Sequence, residues 1–214
     1  MRLVTLAVLG ITASAGAGEI VGAVEILGKK KPYKDRSNVV IYVEGVSVAD
    51  SGASATMEMR KKQFAPRVVV VQKGGPVEFP NRDRIFHNVF SVTGENRFDL
   101  DLYKAPEVAS KTFEHVGLVR VYCNIHPQMT GVVMVRDNPY FATSAKDGGF
   151  SIGGVPPGHY TVTAWHERAE PQSLEVDVPA QGHAGARFVL DASKYKRVRH
   201  KNKFGKTYKK TRKY

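Results

Sequence analysis

Hydrophobic and polar residues alternate at period two through most of the chain after residue 18. Val39–Val43 and Val68–Val71 are β-branched runs bounded by turn residues. Tyr160, Val162 and Ala164 share one face of a third run. Gly and Pro separate the runs, and no stretch has the period of an amphipathic helix. The pattern predicts an all-β protein built from β-sandwiches.

The N-terminal segment has the pattern of an export signal. Arg2 precedes the apolar stretch Leu3–Ile11, and small residues follow up to Gly18. We therefore expect residues 1–17 to be a signal peptide that directs the protein to the periplasm. A buried N-terminal strand is the alternative. The apolar stretch is shorter than the roughly 18 residues that a membrane-spanning helix needs.

Positive charge is concentrated at the C-terminal end. Eleven Lys and Arg residues and no acid lie between residues 194 and 214, and they account for all but one unit of the formal net charge of +12. This distribution excludes a nucleic-acid binder whose folded face is basic. High like charge with few core-forming residues predicts that residues 193–214 are a disordered basic tail.

The single cysteine lies in a motif whose residue types are those of a metal site. Cys123, His126 and Met129 are spaced by two residues each, and His87-Asn88 lies upstream. One thiolate, two imidazoles and a thioether form a soft mixed nitrogen–sulfur set that suits copper, as in blue-copper electron-transfer sites. A lone cysteine also excludes an intramolecular disulfide and a C-x-x-C metal motif.

Strand periodicity turns these side chains inward. Val119, Val121 and Cys123 share one face of a predicted strand, and His87 lies on the same face as Val89. The loop that follows Cys123 is short enough to bring His126 and Met129 back toward the sulfur. In the alternative interpretation the motif is not a metal site. Cys123 and Met129 are then core residues, and His126 is a surface histidine.

The segment from Thr56 to Arg136 resembles the cupredoxins, the plastocyanin-like type 1 copper proteins, and we place this domain at residues 54–136. Its short ligand loop looks most like that of the amicyanins. The resemblance rests on Met57–Met59, Phe64–Pro66, Val68–Gly75, Val77–Asp83, His87–Val89 and Cys123–Met129. It implies a Greek-key β-sandwich that holds one copper ion cycling between Cu(I) and Cu(II).

The resemblance also implies roles for individual residues. His87, Cys123, His126 and Met129 correspond to the copper ligands, and His126 to the port through which electrons enter and leave. It further implies that the Asn88 N–H donates to the Cys123 sulfur and that the Asn88 side chain ties the two ligand segments together. Such outer contacts orient the ligands and tune the metal.

A second domain is expected around the first. Residues 147–162, with the turn Pro156-Pro157-Gly158, resemble the carboxypeptidase regulatory-like, or prealbumin-like, β-sandwich. Residues 138–191 supply fewer strands than an Ig-like sandwich contains. We therefore expect residues 19–45 to supply the missing opening strands, which makes the copper domain an insertion.

Taken together, these features predict an exported type 1 copper protein that carries single electrons between redox partners. The alternatives are a periplasmic copper-binding chaperone or storage protein, and a structural β-protein with a copper site. We expect no enzymatic activity, because no acid–base pair or nucleophile is placed for turnover. The basic tail is expected to favour an acidic redox partner or peripheral contact with an anionic membrane, and not nucleic acid.

Overall fold

The computed structural model describes residues 16–49, 52–196 and 200–208, and within them the chain is all-β, as predicted. The predicted signal peptide lies outside the described residues except for its last two. No helix in the described ranges is long and apolar enough to cross a membrane. The strands, in chain order, are β1 (Gly18–Leu27), β2 (Val40–Val43), β3 (Ala55–Thr56), β4 (Glu58–Arg60), β5 (Gln63–Ala65), β6 (Val68–Gln72), β7 (Pro76–Pro80), β8 (His87–Ser91), β9 (Phe98–Tyr103), β10 (Val108–Thr112), β11 (Gly117–Tyr122), β12 (Thr130–Arg136), β13 (Phe141–Thr143), β14 (Gly149–Val155), β15 (Gly158–Trp165), β16 (Gln172–Val178) and β17 (His183–Asp191), with one short 3-10 helix at Gly94–Asn96.

Strands β3 to β12 form the first sandwich. One sheet has the order β10-β7-β3 and the other β6-β12-β11-β8-β9, with β4 and β5 paired as a hairpin. Alternation sets the faces, since Val119 and Val121 are buried in the core whereas Arg120 between them is exposed. The same inward face continues to Cys123, which belongs to the core of this sandwich.

Strands from both ends of the chain form the second sandwich, with sheets β14-β1-β17 and β13-β2-β15-β16. Strand β17 buries every second residue, which gives Ala184, Ala186, Phe188 and Leu190 to the core. Strand β1 pairs with β14 and β17, and β2 pairs with β13 and β15. The pairing joins residues 18–43 to residues 141–191, as an inserted first sandwich requires.

The two sandwiches meet at an apolar seam reinforced by an ion pair. Val40 from the second sandwich packs with Val68 and Val132 of the first, and Trp165 lies against this cluster. Beside it, Arg67 binds Glu167 through two hydrogen bonds of 2.9 Å and 2.8 Å. The contacts connect the two cores into one packed unit.

The basic tail differs from the expectation of disorder where the structure describes it. Residues 200–208 lie against the first sandwich, and Tyr208 donates a hydrogen bond to the Cys123 carbonyl. The His200 ring stacks on Tyr122, and Lys203 pairs with Asp99. Charge density alone missed these contacts because each depends on a partner from the folded domain. Residues 197–199 and 209–214 of the predicted tail lie outside the described residues.

Candidate metal centre

Three strands bring the predicted ligands to one end of a sheet. His87 opens β8, Cys123 follows the last residue of β11, and Met129 precedes β12. Strand β11 runs antiparallel to both β8 and β12. The start of β8 therefore lies beside the loop of residues 123–129, which we call the ligand loop.

The donor atoms of three predicted ligands converge. The Nδ1 atoms of His87 and His126 are 3.0 Å apart, and the Cys123 sulfur lies 3.7 Å from His126 Nδ1. The ligating atoms of all three residues lie within 4.8 Å of one another. Two atoms bound about 2 Å from one ion lie roughly 3–4 Å apart. The arrangement fits a single metal ion.

Burial and backbone hydrogen bonds fix the ligand loop. Cys123 N–H donates to the Met129 carbonyl at 3.2 Å, and Met129 N–H donates to the His126 carbonyl at 2.9 Å. His87, Cys123 and Met129 are fully buried, whereas His126 is half-buried. Met129 packs in the same core cluster as Cys123. The fourth predicted ligand is thus held on the loop that carries two of the others.

A carboxylate orients His87. Its Nε2 lies 2.8 Å from Asp83 Oδ2, while its Nδ1 faces His126. The N–H groups of Lys61 and Lys62 donate to the same carboxylate. Burial raises the pKa of Asp83, but these hydrogen bonds and the one with His87 outweigh it and lower the pKa below its ordinary value. Asp83 therefore stays charged and fixes the ring by its Nε2 side.

The surroundings of His126 keep its ring neutral. Burial lowers the pKa of His126, and the nearby His87 and the charge of Lys62 lower it further. A neutral imidazole has a free lone pair, which metal binding requires. The electrostatics thus favour a ligand at this position.

Asn88 joins the two segments that carry the predicted ligands. Its side-chain oxygen accepts the Asn124 N–H at 3.0 Å, and its side-chain nitrogen donates to Asp99 at 2.6 Å. Asn88 itself is almost fully buried. The residue after His87 is therefore bound to the residue after Cys123.

The other methionines and histidines differ in burial and in their partners. Met57 and Met59 are fully buried core residues. Three of the remaining histidines lie next to carboxylates on the surface, namely His115, His159 and His183. His166 is buried, and among the residues that the structure describes its Nδ1 has no hydrogen-bond partner. Burial lowers the pKa of His166 to about 4, so this ring is neutral.

Exposed apolar residues directly precede two of the predicted ligands in the chain. Ile125 precedes His126 and is 44% exposed, and Phe86 precedes His87 and is 49% exposed. Ile85 is exposed as well, and the Lys104 ammonium lies 5.5 Å from the centre of the Phe86 ring. We call Ile85, Phe86 and Ile125 the apolar rim.

The structure brings His87, Cys123 and His126 together, and Met129 and Asn88 stay predicted site residues. Sequence reasoning did not identify the residues that contact them. Asp83 gave one usable signal, since it lies four residues before a predicted ligand. Asp99 gave none, because it lies outside the motifs that carry the resemblance. Tyr208 and Lys203 lie in a segment that was expected to be disordered, so no contact with the site was predicted for them.

Comparison with solved structures finds similarity in copper proteins. The chain is similar to a copper-containing nitrite reductase from Thermus scotoductus, with 25% identity and a TM-score of 0.39 over 44% of this chain. The chain spans only 26% of that protein. It is also similar to amicyanin from Paracoccus versutus, with 26% identity and a TM-score of 0.37 over 45% of this chain and 97% of that one.

A third similarity is to a purple cupredoxin from Nitrosopumilus maritimus, with 22% identity and a TM-score of 0.35 over 38% of this chain and 98% of that one. No protein-family model matches the chain. The search of curated proteins gives no match either. Because each aligned region spans less than half of this chain, we base the function on the geometry of the site.

Proposed function

We propose that the protein is an exported type 1 copper protein that carries single electrons between redox partners by outer-sphere transfer. One observation carries the proposal: the donor atoms of His87, Cys123 and His126 lie within 4.8 Å of one another at the edge of a buried core. Met129, on the same loop, would be the fourth ligand, a weak thioether donor. The metal is copper because a thiolate, two imidazoles and a thioether form its soft donor set.

The bound ion would supply a one-electron couple, Cu(I)/Cu(II). The chain's contribution is a site that changes little between the two states. Asp83 fixes the His87 ring, Asn88 binds the ligand loop to β8, and two backbone hydrogen bonds close the loop. Side chains held by packing and hydrogen bonds resist rearrangement, which lowers the reorganisation cost of each transfer.

His126 is the proposed electron port. It is the half-buried member of the cluster, and the exposed Ile125 of the apolar rim directly precedes it in the chain. A partner that packs against this rim would approach the site closely without binding the metal. An apolar contact surrounded by charge is common at protein interfaces. Basic residues near this side, Lys61, Lys62 and Lys104, favour an acidic partner.

The domain organisation is proposed on the strand pairing. The copper domain is an insertion at residues 54–136 between residues 19–45 and 138–191 of the second sandwich. Support comes from β1 and β2, which pair only with strands of residues 141–191 among the described residues. The prealbumin-like character of that sandwich stays a prediction from residues 147–162. Export to the periplasm stays a prediction from residues 1–17.

Optical and redox spectroscopy of the copper-loaded protein tests the function. We expect an intense visible band from thiolate-to-Cu(II) charge transfer in the oxidised protein and a reversible one-electron wave in voltammetry. Copper that binds only as Cu(I) and stays colourless after oxidation would support the chaperone or storage alternative and reject the carrier. Cys123→Ser is the control, since it removes the sulfur donor.

A further inference from the structure

Residues 200–208, which we call the C-terminal strap, contact the ligand loop at three points. Tyr208 donates its hydroxyl proton to the Cys123 carbonyl at 2.9 Å. Lys203 N–H donates to the Asn124 side-chain oxygen at 3.1 Å. His200 Nε2 lies 2.8 Å from the Pro127 carbonyl, which can only accept, so this nitrogen carries the proton. Each contact falls on a proposed ligand or on a residue adjacent to one.

Lys203 also completes a closed ring of hydrogen bonds. Its ammonium donates to Asp99 Oδ2 at 2.5 Å, and the other Asp99 oxygen accepts from Asn88. Asn88 accepts the Asn124 N–H, and Asn124 accepts the Lys203 N–H. The ring therefore joins the residue after His87, the residue after Cys123 and the strap. Networks of this kind resist distortion more than isolated hydrogen bonds do.

The strap also covers part of the outer face of the sheet, at the strand that ends in the ligand loop. The His200 ring stacks on Tyr122 with centroids 4.3 Å apart, and Tyr208 packs edge-on against His200 at 5.1 Å. The Tyr208 hydroxyl is the donor in its hydrogen bond to the Cys123 carbonyl, because a carbonyl oxygen can only accept.

We propose that the C-terminal strap supports the copper site, in addition to Asp83 and Asn88. Lys203 and Tyr208 are positioning residues that hold the ligand loop and raise the reduction potential of the copper ion. The inference rests on the proposed function. It assigns the basic tail a role at the site itself, in addition to any role in attracting a partner. The strap covers the Tyr122 side and leaves the apolar rim open for docking.

The direction of the potential shift follows from charge. With one thiolate ligand, the site has a net charge of one with Cu(II) and none with Cu(I). Positive charge on Lys203 favours the state with less charge, Cu(I). The Tyr208 hydroxyl points the positive end of its O–H dipole at the Cys123 carbonyl, which favours the same state. Both effects of the strap therefore stabilise Cu(I), and loss of the strap lowers the potential.

The test uses single variants of the full chain. Tyr208→Phe removes only the hydroxyl group, and Lys203→Met removes the ammonium but keeps the chain length. Lys206→Met is the control for charge, because Lys206 lies on the strap with an exposed side chain. Tyr195→Phe is the control for a tail tyrosine away from the ligand loop. Lys203→Arg keeps a donor for Asp99 and is the rescue variant.

Two measurements distinguish positioning from a surface effect. In the metal-free protein, Tyr208→Phe and Lys203→Met should increase amide exchange of Asn124 and Met129 about tenfold, whereas the control variants leave it unchanged. In the copper-loaded protein the same two variants should lower the potential, by up to the 59 mV that corresponds to a tenfold change for one electron. The share of the potential shift that comes from a displaced ligand loop should persist at high salt. The share that comes from lost surface charge should shrink, because salt screens exposed charges.

The outcomes separate this inference from the proposed function. If the oxidised protein is blue but exchange and potential match those of the control variants, the strap is not a support and the carrier function stands. If the protein is colourless but amide exchange rises in both variants, the strap supports the loop and the carrier function fails. Equal shifts of the reduction potential in Lys203→Met and Lys206→Met would show that only the lost charge matters. That result would overturn the positioning role.

Discussion

The two sandwiches are built alike but differ in what they bury. In the second sandwich the hydrophobic core cluster includes Phe188, Leu190 and Ile20, and its buried polar residues, such as Asn138 and Ser144, hydrogen-bond to backbone carbonyls. In the first, the core cluster includes Cys123 and Met129, and His87 is fully buried at its edge. Hydrocarbon would fill the same space without a desolvation cost. The comparison indicates that the first sandwich is shaped by a site and the second by packing.

Alternating inward side chains form the cores of both sandwiches. The difference in what the two cores contain therefore arises where strands end and loops begin. Strand β17 buries alternate residues along its whole length. Strand β11 does the same up to Val121, and its inward face then continues into the ligand loop. The scaffold therefore fixes where a side chain points, and the loop residues decide which chemistry is placed there.

Replacing the sulfur should have the largest effect on the site. Cys123→Ser should abolish the intense visible band, because an alcohol does not replace a thiolate as donor to Cu(II). Met57→Leu is the matched control, since it removes a buried sulfur that is not a proposed ligand. A band that survives in Cys123→Ser would show that the cluster is not the copper site.

Truncating a side chain in the core of the second sandwich should destabilise the fold and leave the metal site intact. Phe188→Ala should lower the free energy of unfolding by about 3–5 kcal/mol. Val189→Ala, at a neighbouring residue that is 42% exposed, should change it by less than about 0.5 kcal/mol. Chemical denaturation measures both. The native fraction of Phe188→Ala should keep the band position of the parent protein, and a displaced band would contradict the separation of the two regions.

Removing the carboxylate behind His87 should weaken copper binding. Asp83→Asn keeps the size of the side chain but loses the charge that orients the ring. We expect copper affinity to fall about 10–100-fold. Asp101→Asn, at an exposed position, is the control. Competition with a chelator measures both affinities, and equal values would mean that Asp83 does not position His87.

Breaking the Arg67–Glu167 ion pair at the seam should lower the free energy of unfolding by a smaller amount, and that amount should depend on pH. Burial raises the pKa of Glu167, but hydrogen bonds and charge from Arg67, with the charge of Arg168, outweigh it and lower the pKa. A lowered pKa in the folded state contributes stability above the ordinary value of 4.5, and this stability is lost as pH falls through the folded value. Arg67→Met should therefore lower the free energy of unfolding by about 1–2 kcal/mol at pH 7 and by less at pH 3.

Arg187→Met is the matched control for the seam, because Arg187 pairs with Glu25 at 3.7 Å on the exposed surface. That change should cost less than about 1 kcal/mol. Denaturation across pH 3 to 7 measures both variants. A loss in Arg67→Met that is the same at every pH would contradict the assignment to the Glu167 charge.

The sequence predicted what is local and missed what requires folding. Period-two alternation predicted the all-β fold because each strand buries one face. The spacing of Cys123, His126 and Met129 was readable because one short loop carries all three. Asp99 and Lys203 lie far apart in sequence, so their ion pair had no local signal. His166 is buried next to Glu167, whose ion pair with Arg67 lies at the seam, and no local pattern predicts a burial that depends on the packing of the two sandwiches.

X-ray absorption at the copper edge, recorded for the same sample in both oxidation states, tests the central claim most directly. The account predicts one sulfur and two nitrogen neighbours at short distance in Cu(II) and in Cu(I), with little change between them. A coordination shell without a short sulfur neighbour, or one that rearranges on reduction, would contradict it.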